Sequence, residues 1–342
     1  MAVTSKQIAE LAGVSRGTVD RALHNRGRVN PQVAERIRQI ASDLGYAPHP
    51  AGQALVLSNK QFKFGVYIQS LDTPTMQIVL DGVNQAAEEL KAFGVTTQII
   101  THPTLDKKAA LSAIDTLVDG GCQALALTPT TDEEIVARIN QLTADGIPVV
   151  VFNGDVPTSD RLCYVGLDNA RGGRMAGAMM GYMLPEGGKV LPLTAHLANY
   201  AHYTRAKSFI DVISTDFPNI ELLPLQGCFD NDAFSYEITK VTLQEHPDLK
   251  GVYAASNGVH GAVRAIREAG LIETIRIISF DLNSPNRNDL ENGYITMILD
   301  QHPDLEGYRP LHILYDYVAK GQPPSDRNEF TPLSVVTKYN LD

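Results

Sequence analysis

Thr4 to Asn25 reads TSKQIAELAGVSRGTVDRALHN, and the spacing of its apolar residues decides how the N-terminal end folds. Ile8, Leu11, Ala12, Val14, Val19, Ala22 and Leu23 recur at helical intervals in two short runs, which predicts two helices sharing one small core. Gly13 supplies the turn between them, because a residue without a side chain takes the positive φ that a helix C-terminus needs. Ser15 stands where it caps the second helix. Arg16, Gly17, Asp20 and Arg21 are then left on the outer face, the geometry of a helix-turn-helix whose second helix enters the major groove. A surface helical hairpin with solvated charges has the same spacing.

Working outward, the spacing predicts a third helix over Pro31 to Leu44, capped by Asn30, opened by Pro31 at its first position and stopped by Gly45. The prolines of Tyr46-Ala-Pro-His-Pro50 hold the next segment extended. Ala51 to Leu57, AGQALVL, is long enough for two helical turns, but so short a helix is marginal in water without a partner. A flexible linker fits the same residues.

The forty residues AELAGVSRGTVDRALHNRGRVNPQVAERIRQIASDLGYAP, from Ala9 to Pro48, resemble the headpiece of the lac repressor (LacI/GalR) family. That resemblance implies operator DNA as partner, with contacts from Ser5, Ser15, Arg16, Gly17, Thr18, Asp20, Arg21 and Asn25. It also implies that 51–57 is the family's hinge helix, with Leu55 as an apolar wedge that opens a minor-groove base step and bends the duplex. His49, where the family usually has Asn, and the neighbours Pro50 and Gly52 depart from that pattern.

From Lys63 the pattern changes to near-continuous apolar runs: FKFGVYIQ, TTQIITH, CQALALTP, IPVVVFNGD and CYVGLD. Each but the last is expected to be followed by ten to twenty helical residues. A second series follows with KVLPLTA, ELLPLQG, GVYAAS and IRIISFD. Such alternation predicts parallel sheets covered on both faces, with ligands bound off the carboxyl ends of the strands. The predicted fold is an all-α helix-turn-helix headpiece at 1–47, a hinge or linker at 48–61, and an α/β two-lobed body at 62–342. One lobe takes about 62–166 and 302–328, the other about 167–301 and 329–342.

The body resembles the type I periplasmic-binding-protein-like fold, and ribose-type binding proteins in particular. The resemblance is carried by IQSLDTPTMQIVLDG, DGGCQALALTPT, IPVVVFN, GLDNARGGRMAG, GVYAASNGVHGAVRA, IRIISFD and LDQHPDLEG. It places the family's polar cleft contacts on Gln69, Thr73, Asn153, Arg205, Asn257, Asp281 and Gln301. Thr75 and Met76 stand where ribose-type sites carry phenylalanines, and Gly154 followed by Asp155 replaces a common arginine. The implied effector is a small hydroxyl-rich molecule: a sugar, polyol, sugar acid or sugar phosphate. The family is at least dimeric, and its C-terminal tetramerising leucine heptads are not visible after Val336, so a homodimer is expected.

A net charge of −10 over 342 residues argues against nucleic acid only until its distribution is read. Residues 1–60 carry eight Lys/Arg against four Asp/Glu, a net of +4, which leaves −14 for the rest. A basic head on an acidic body confines phosphate contact to one end. Cys122, Cys163 and Cys228 are odd in number and lack CxxC spacing, so free thiols in a reducing compartment are expected. No apolar leader or run of eighteen apolar residues occurs, which predicts a soluble cytoplasmic protein with no membrane partner. Neither cofactor nor metal is implied. GxxxxGK[ST], GxSxG, HExxH and a strand-linked GxGxxG are all missing, and Gly187-Gly188-Lys189 imitates the first without its flanks, so an enzyme is unsupported. A small-molecule binding protein or enzyme with an unrelated helical head is the alternative class.

Overall fold

The computed structural model describes residues 3–23, 27, 29–44, 61–197 and 199–341. Asn25, Gly45, the segment 46–60 and hence Leu55 lie outside the described residues. The chain falls into two units, residues 1–60 and 61–342.

In the first unit, α1 (Ser5–Ala12) opens with a reciprocal cap: the Thr4 hydroxyl accepts from the Gln7 amide, and the Gln7 side chain accepts from the Thr4 amide. Gly13, at φ 67°, ends the helix in the left-handed region. Ser15 Oγ accepts from the Thr18 amide at 3.2 Å and so caps α2 (Arg16–Leu23), while Asn30 caps α3 (Pro31–Asp43) through the Gln32 amide. Ile8, Ala9, Ala12, Val19, Ala22, Ala34, Ile37 and Ala41 form the shared core. Leu11, expected in that core, is 56% exposed. The buried arc of α1 is centred between Ile8, Ala9 and Ala12, and at 100° per residue Leu11 falls outside it.

In the second unit, every strand of the first sheet runs parallel, in the order β12 (Asn328–Phe330), β5 (Cys163–Gly166), β4 (Val149–Phe152), β3 (Ala124–Leu127), β1 (Phe62–Ile68), β2 (Val95–Thr101). Helices α4 (Pro74–Lys91), α5 (Lys107–Asp119) and α6 (Glu133–Ala144) connect the first four of these along the chain. The helix expected after β4 is missing. Residues 153–162, NGDVPTSDRL, instead form an irregular connection held by the buried Asp155–Arg161 pair, and Pro157 would interrupt a helix there.

The second sheet has the order β13 (Ser334–Val336), β11 (Met297–Asp300), β10 (Arg276–Phe280), β9 (Leu249–Ala254), β6 (Gly188–Thr194), β7 (Ile220–Leu222), with β8 (Gln226–Gly227) also on β6. The run ELLPLQG, expected as one strand, is split into β7 and β8 because Pro224 has no amide to donate to the ladder. Helices α7 (Asn169–Met183), α8 (Tyr200–Asp216), α9 (Asp232–Glu245), α10 (Val259–Glu268), α11 (Ser284–Glu291) and α12 (Pro303–Lys320) complete the order. The chain crosses between lobes after β5, after β11 and after β12. Because Asn328–Phe330 pairs with β5, the last boundary lies past residue 330 rather than at 328.

Helices α4 and α12 touch backbone to backbone: a Cβ added at Gly307 would lie 1.9 Å from the Val79 carbonyl. Cys122, Cys163 and Cys228 are buried and unpaired. No helix among the described residues is long and apolar enough to cross a membrane.

Candidate functional site

Non-glycine residues in the left-handed backbone region cost energy, and functional sites concentrate them. Among the described residues these are Ser70, Asn153, Phe229, Asp230, Asp281 and His302, with φ between 55° and 67°. All follow the carboxyl ends of β1, β4, β8, β10 and β11. Four of them, Ser70, Asn153, Asp230 and Asp281, line a single cleft of about 620 Å³, counting its open mouth. The cleft therefore sits between the lobes, where parallel-sheet topology places ligands.

Its walls are joined by polar contacts across the lobes. Thr75, in the first turn of α4, donates from Oγ1 to Asp281 Oδ2 at 2.9 Å and lies 3.1 Å from Asn257 Oδ1. Asn283 donates to both Thr75 Oγ1 and Asn257 Oδ1. Gln301 donates to Asp281 Oδ1 and accepts from Arg205 Nη2. Arg205 is 3% exposed, gives its Nε to Asn169 Oδ1 at 2.6 Å and its Nη1 to the Ala255 carbonyl, and stacks 4.4 Å over the Phe280 ring.

Arg205 reaches this position because α8 lies hard against the glycines of α7. A Cβ added at Gly173 would lie 2.3 Å from the Arg205 carbonyl oxygen. Gly173→Ala should therefore push α8 outward, destabilise the protein by about 1–3 kcal/mol, and weaken ligand binding along with it. Chemical denaturation would measure the first effect. A variant as stable as wild type would show that the close approach is dispensable.

Burial dominates the electrostatics. It pushes the Asp230 carboxyl up to about 7 and raises Asp281, which Arg205 opposes. Burial also drives Glu306 up to about 8, although it accepts from Nδ2 of the cleft residue Asn153 at 2.9 Å. His202 is lowered to about 3 by burial first and Arg205 second, so it is neutral at physiological pH.

Of the residues expected in the cleft, Gln69, Thr73, Thr75, Met76, Asn153, Arg205, Asn257, Asp281 and Gln301 all line it. Asp155 does not. Its carboxylate is taken by Arg161, Nε to Oδ1 at 2.6 Å and Nη2 to Oδ2 at 3.0 Å, and Arg161 also holds the Arg327 carbonyl and Asn328. That pair anchors β12 beside β5 rather than facing a ligand. Sequence reading missed Asp230, Thr128 and Ser256, which also line the cleft. Asp230 had a usable signal, since it lies just beyond the end of a predicted strand. On the head, Arg16, Gly17, Asp20 and Arg21 are exposed on α2, and Ser5 and Thr18 are partly exposed. A side chain at Gly17 would meet only Ser15 Oγ, at 3.8 Å.

Fold and site together define a class: a two-lobed ligand-binding body in a chain that begins with a helix-turn-helix head. Residues 64–323 match the periplasmic binding protein domain family, and residues 4–49 match the bacterial regulatory proteins of the lacI family. The chain belongs to the lacI family of regulators with a periplasmic-binding-protein-like body, and is a ligand-responsive transcription regulator.

Among curated relatives, it is 24% identical to the D-apiose import binding protein of Paraburkholderia graminis over 272 residues, covering 79% of this chain and 86% of that one. It is 25% identical to the ribose import binding protein of Bacillus subtilis over 251 residues, 73% of this chain and 79% of the relative. Among solved structures, the solute-binding protein of Burkholderia graminis in complex with D-arabinose superposes with a TM-score of 0.76 at 24% identity, over 82% of this chain and 96% of that one. A Bacillus halodurans solute-binding protein with bound myo-inositol gives 0.74 at 16% identity, over the same 82% and 96%. These likenesses show the fold.

Proposed function

We propose that the protein is a repressor of a carbohydrate or polyol utilisation operon, binding a pseudo-palindromic operator as a homodimer in the cytoplasm and released or engaged by a small hydroxyl-rich effector. The observation that carries this reading is the meeting of Thr75 from one lobe with Asp281 and Asn257 from the other at hydrogen-bond distance. A ligand that inserts its own hydroxyls between these groups changes how the lobes meet. If only one lobe arrangement lets two hinge segments pair, effector and operator alter each other's affinity by the same factor. On the order of 1–3 kcal/mol of coupling makes a usable switch.

A hydroxyl-rich effector follows from satisfiability. A purely apolar ligand would leave the cleft's carboxylates and amides buried and unpaired, at about 1–3 kcal/mol each. The relatives named for D-apiose and ribose, and the neighbours holding D-arabinose and myo-inositol, support the same chemical class. A sugar acid or sugar phosphate fits less well. Arg205 already spends three donors on protein groups, and Asp230 and Asp281 share the same walls. The test is a gel shift with the DNA upstream of the chain's own gene, with and without each sugar and polyol in turn. No shift on that DNA would overturn the regulatory reading, and a response confined to purines would overturn the effector class.

On the DNA side, Arg16 at the exposed start of α2 is placed to bind guanine with both ends of its fork. Arg16→Ala should cost about 1–3 kcal/mol and relax specificity at one base pair. Binding measured across a set of single-base operator variants checks this. Uniform weakening on all of them would make Arg16 a phosphate contact instead.

A further inference from the structure

The amide groups of the cleft are not free to present either end. Gln69 Nε2 donates to the Thr128 carbonyl at 2.7 Å, which leaves the Oε1 of this cleft residue as the acceptor available to a ligand. Asn153 Nδ2 donates to Glu306, which does the same for Asn153 Oδ1. Asp230 accepts the Asn257 amide on one oxygen, at 3.0 Å, and its corner between Cys228 and Asn231 keeps the carboxylate in the cleft wall. Among the described residues, the opposite lobe's wall carries no basic side chain.

Burial raises both carboxyls of the cleft, Asp230 to about 7, so a cation placed beside them would favour the ionised form. Two carboxylates, Asp230 and Asp281, line the cleft with one guanidinium, Arg205. That guanidinium bonds Asn169, the Ala255 carbonyl and Gln301, and makes no ion pair with either carboxylate among the described residues. His202 is the other basic side chain in the wall, and it is neutral. A hydroxyl donates one hydrogen per oxygen and so serves only one of these acceptors at a time. An ammonium is donor-only, with three hydrogens for the three acceptors of Gln69, Asn153 and Asp230.

We infer that the effector carries a protonated amine beside its hydroxyls, as in an amino sugar or aminopolyol, with the ammonium held by the Asp230 carboxylate and the Asn153 and Gln69 carbonyl oxygens. This rests on the polyol-binding reading above and narrows it. Charge-assisted hydrogen bonds are roughly twice as strong as neutral ones, so the amine sets affinity and the hydroxyls set shape.

Calorimetry on the full chain with matched pairs differing only in one substituent tests it: glucosamine and glucose, glucamine and sorbitol, an inosamine and myo-inositol. Within a pair that binds, the amine should be at least about tenfold tighter, and Asp230→Asn should bring that ratio close to one. Equal or tighter binding of the hydroxyl member in every binding pair would overturn the inference while leaving the polyol reading standing. A preference that survives Asp230→Asn would overturn the assignment of the ammonium to this corner. If no member of any pair binds, the polyol reading itself fails, and the amine with it.

Discussion

Asp281→Ala should cut effector affinity by at least about 100-fold, the order expected when a buried charged acceptor with several partners is removed. Asp281 is 4% exposed and accepts from Thr75 and Gln301, and Gln301 in turn holds Arg205. Deleting the carboxylate therefore removes the acceptor proposed for the ligand and strands the Gln301 amide, while the Thr75 hydroxyl keeps Asn257 as an acceptor. Operator binding without effector should persist, because the head is a separate compact unit with its own core. Calorimetry for the effector and a gel shift for DNA separate the two. A variant that still responds to the effector at wild-type concentration would remove Asp281 from the site.

The second large effect concerns stability and pH. Glu306 is fully buried, its Oε1 has no hydrogen-bond partner, and burial raises it from 4.5 to about 8. Between those values the folded protein keeps a proton that the unfolded chain releases, so stability must fall as pH rises through this window. Below 4.5 both states are protonated and the penalty vanishes; above about 8 it is complete. The wild type should lose on the order of 2–4 kcal/mol from this group between the two ends. Glu306→Gln keeps the shape and the acceptor for Asn153 but cannot ionise, so the variant should be the more stable protein at pH 8 and close to wild type at pH 5. Denaturant melts of both proteins across pH check it, and the difference between them cancels the histidines that titrate in the same range. Parallel profiles would mean that Glu306 stays ionised or solvated.

Glu306 also shows why part of the site was illegible beforehand. In the sequence it is one more acid in the first turn of a helix, a position where acids are ordinary. Only the close packing of α12 on α4, through Gly307 against the Val79 carbonyl, carries it away from water and against Asn153. Asp155 misled for the opposite reason. It follows a strand end, as ligand-binding residues do, but its partner Arg161 lies six residues on in an irregular loop whose path no periodicity encodes.

The sequence by itself determined the helix-turn-helix head, its caps at Ser15 and Asn30, the alternation of buried strands with helices, and most of the cleft. The head and the strand–helix alternation depend on local periodicity and capping chemistry, and the cleft residues on the resemblance to ribose-type binding proteins together with the rule that parallel strands present their carboxyl ends to ligands. Only the tertiary structure decided which ends of the cleft amides are engaged, that Arg205 is committed to protein groups, and that burial pushes Asp230 up to about 7 in the cleft wall. These are properties of side chains distant in sequence, from Gln69 to Gln301, brought together by three chain crossings. A hydrogen bond's direction and a carboxylate's charge depend on which partner is within about 3 Å, and that is fixed by packing rather than by the order of residues.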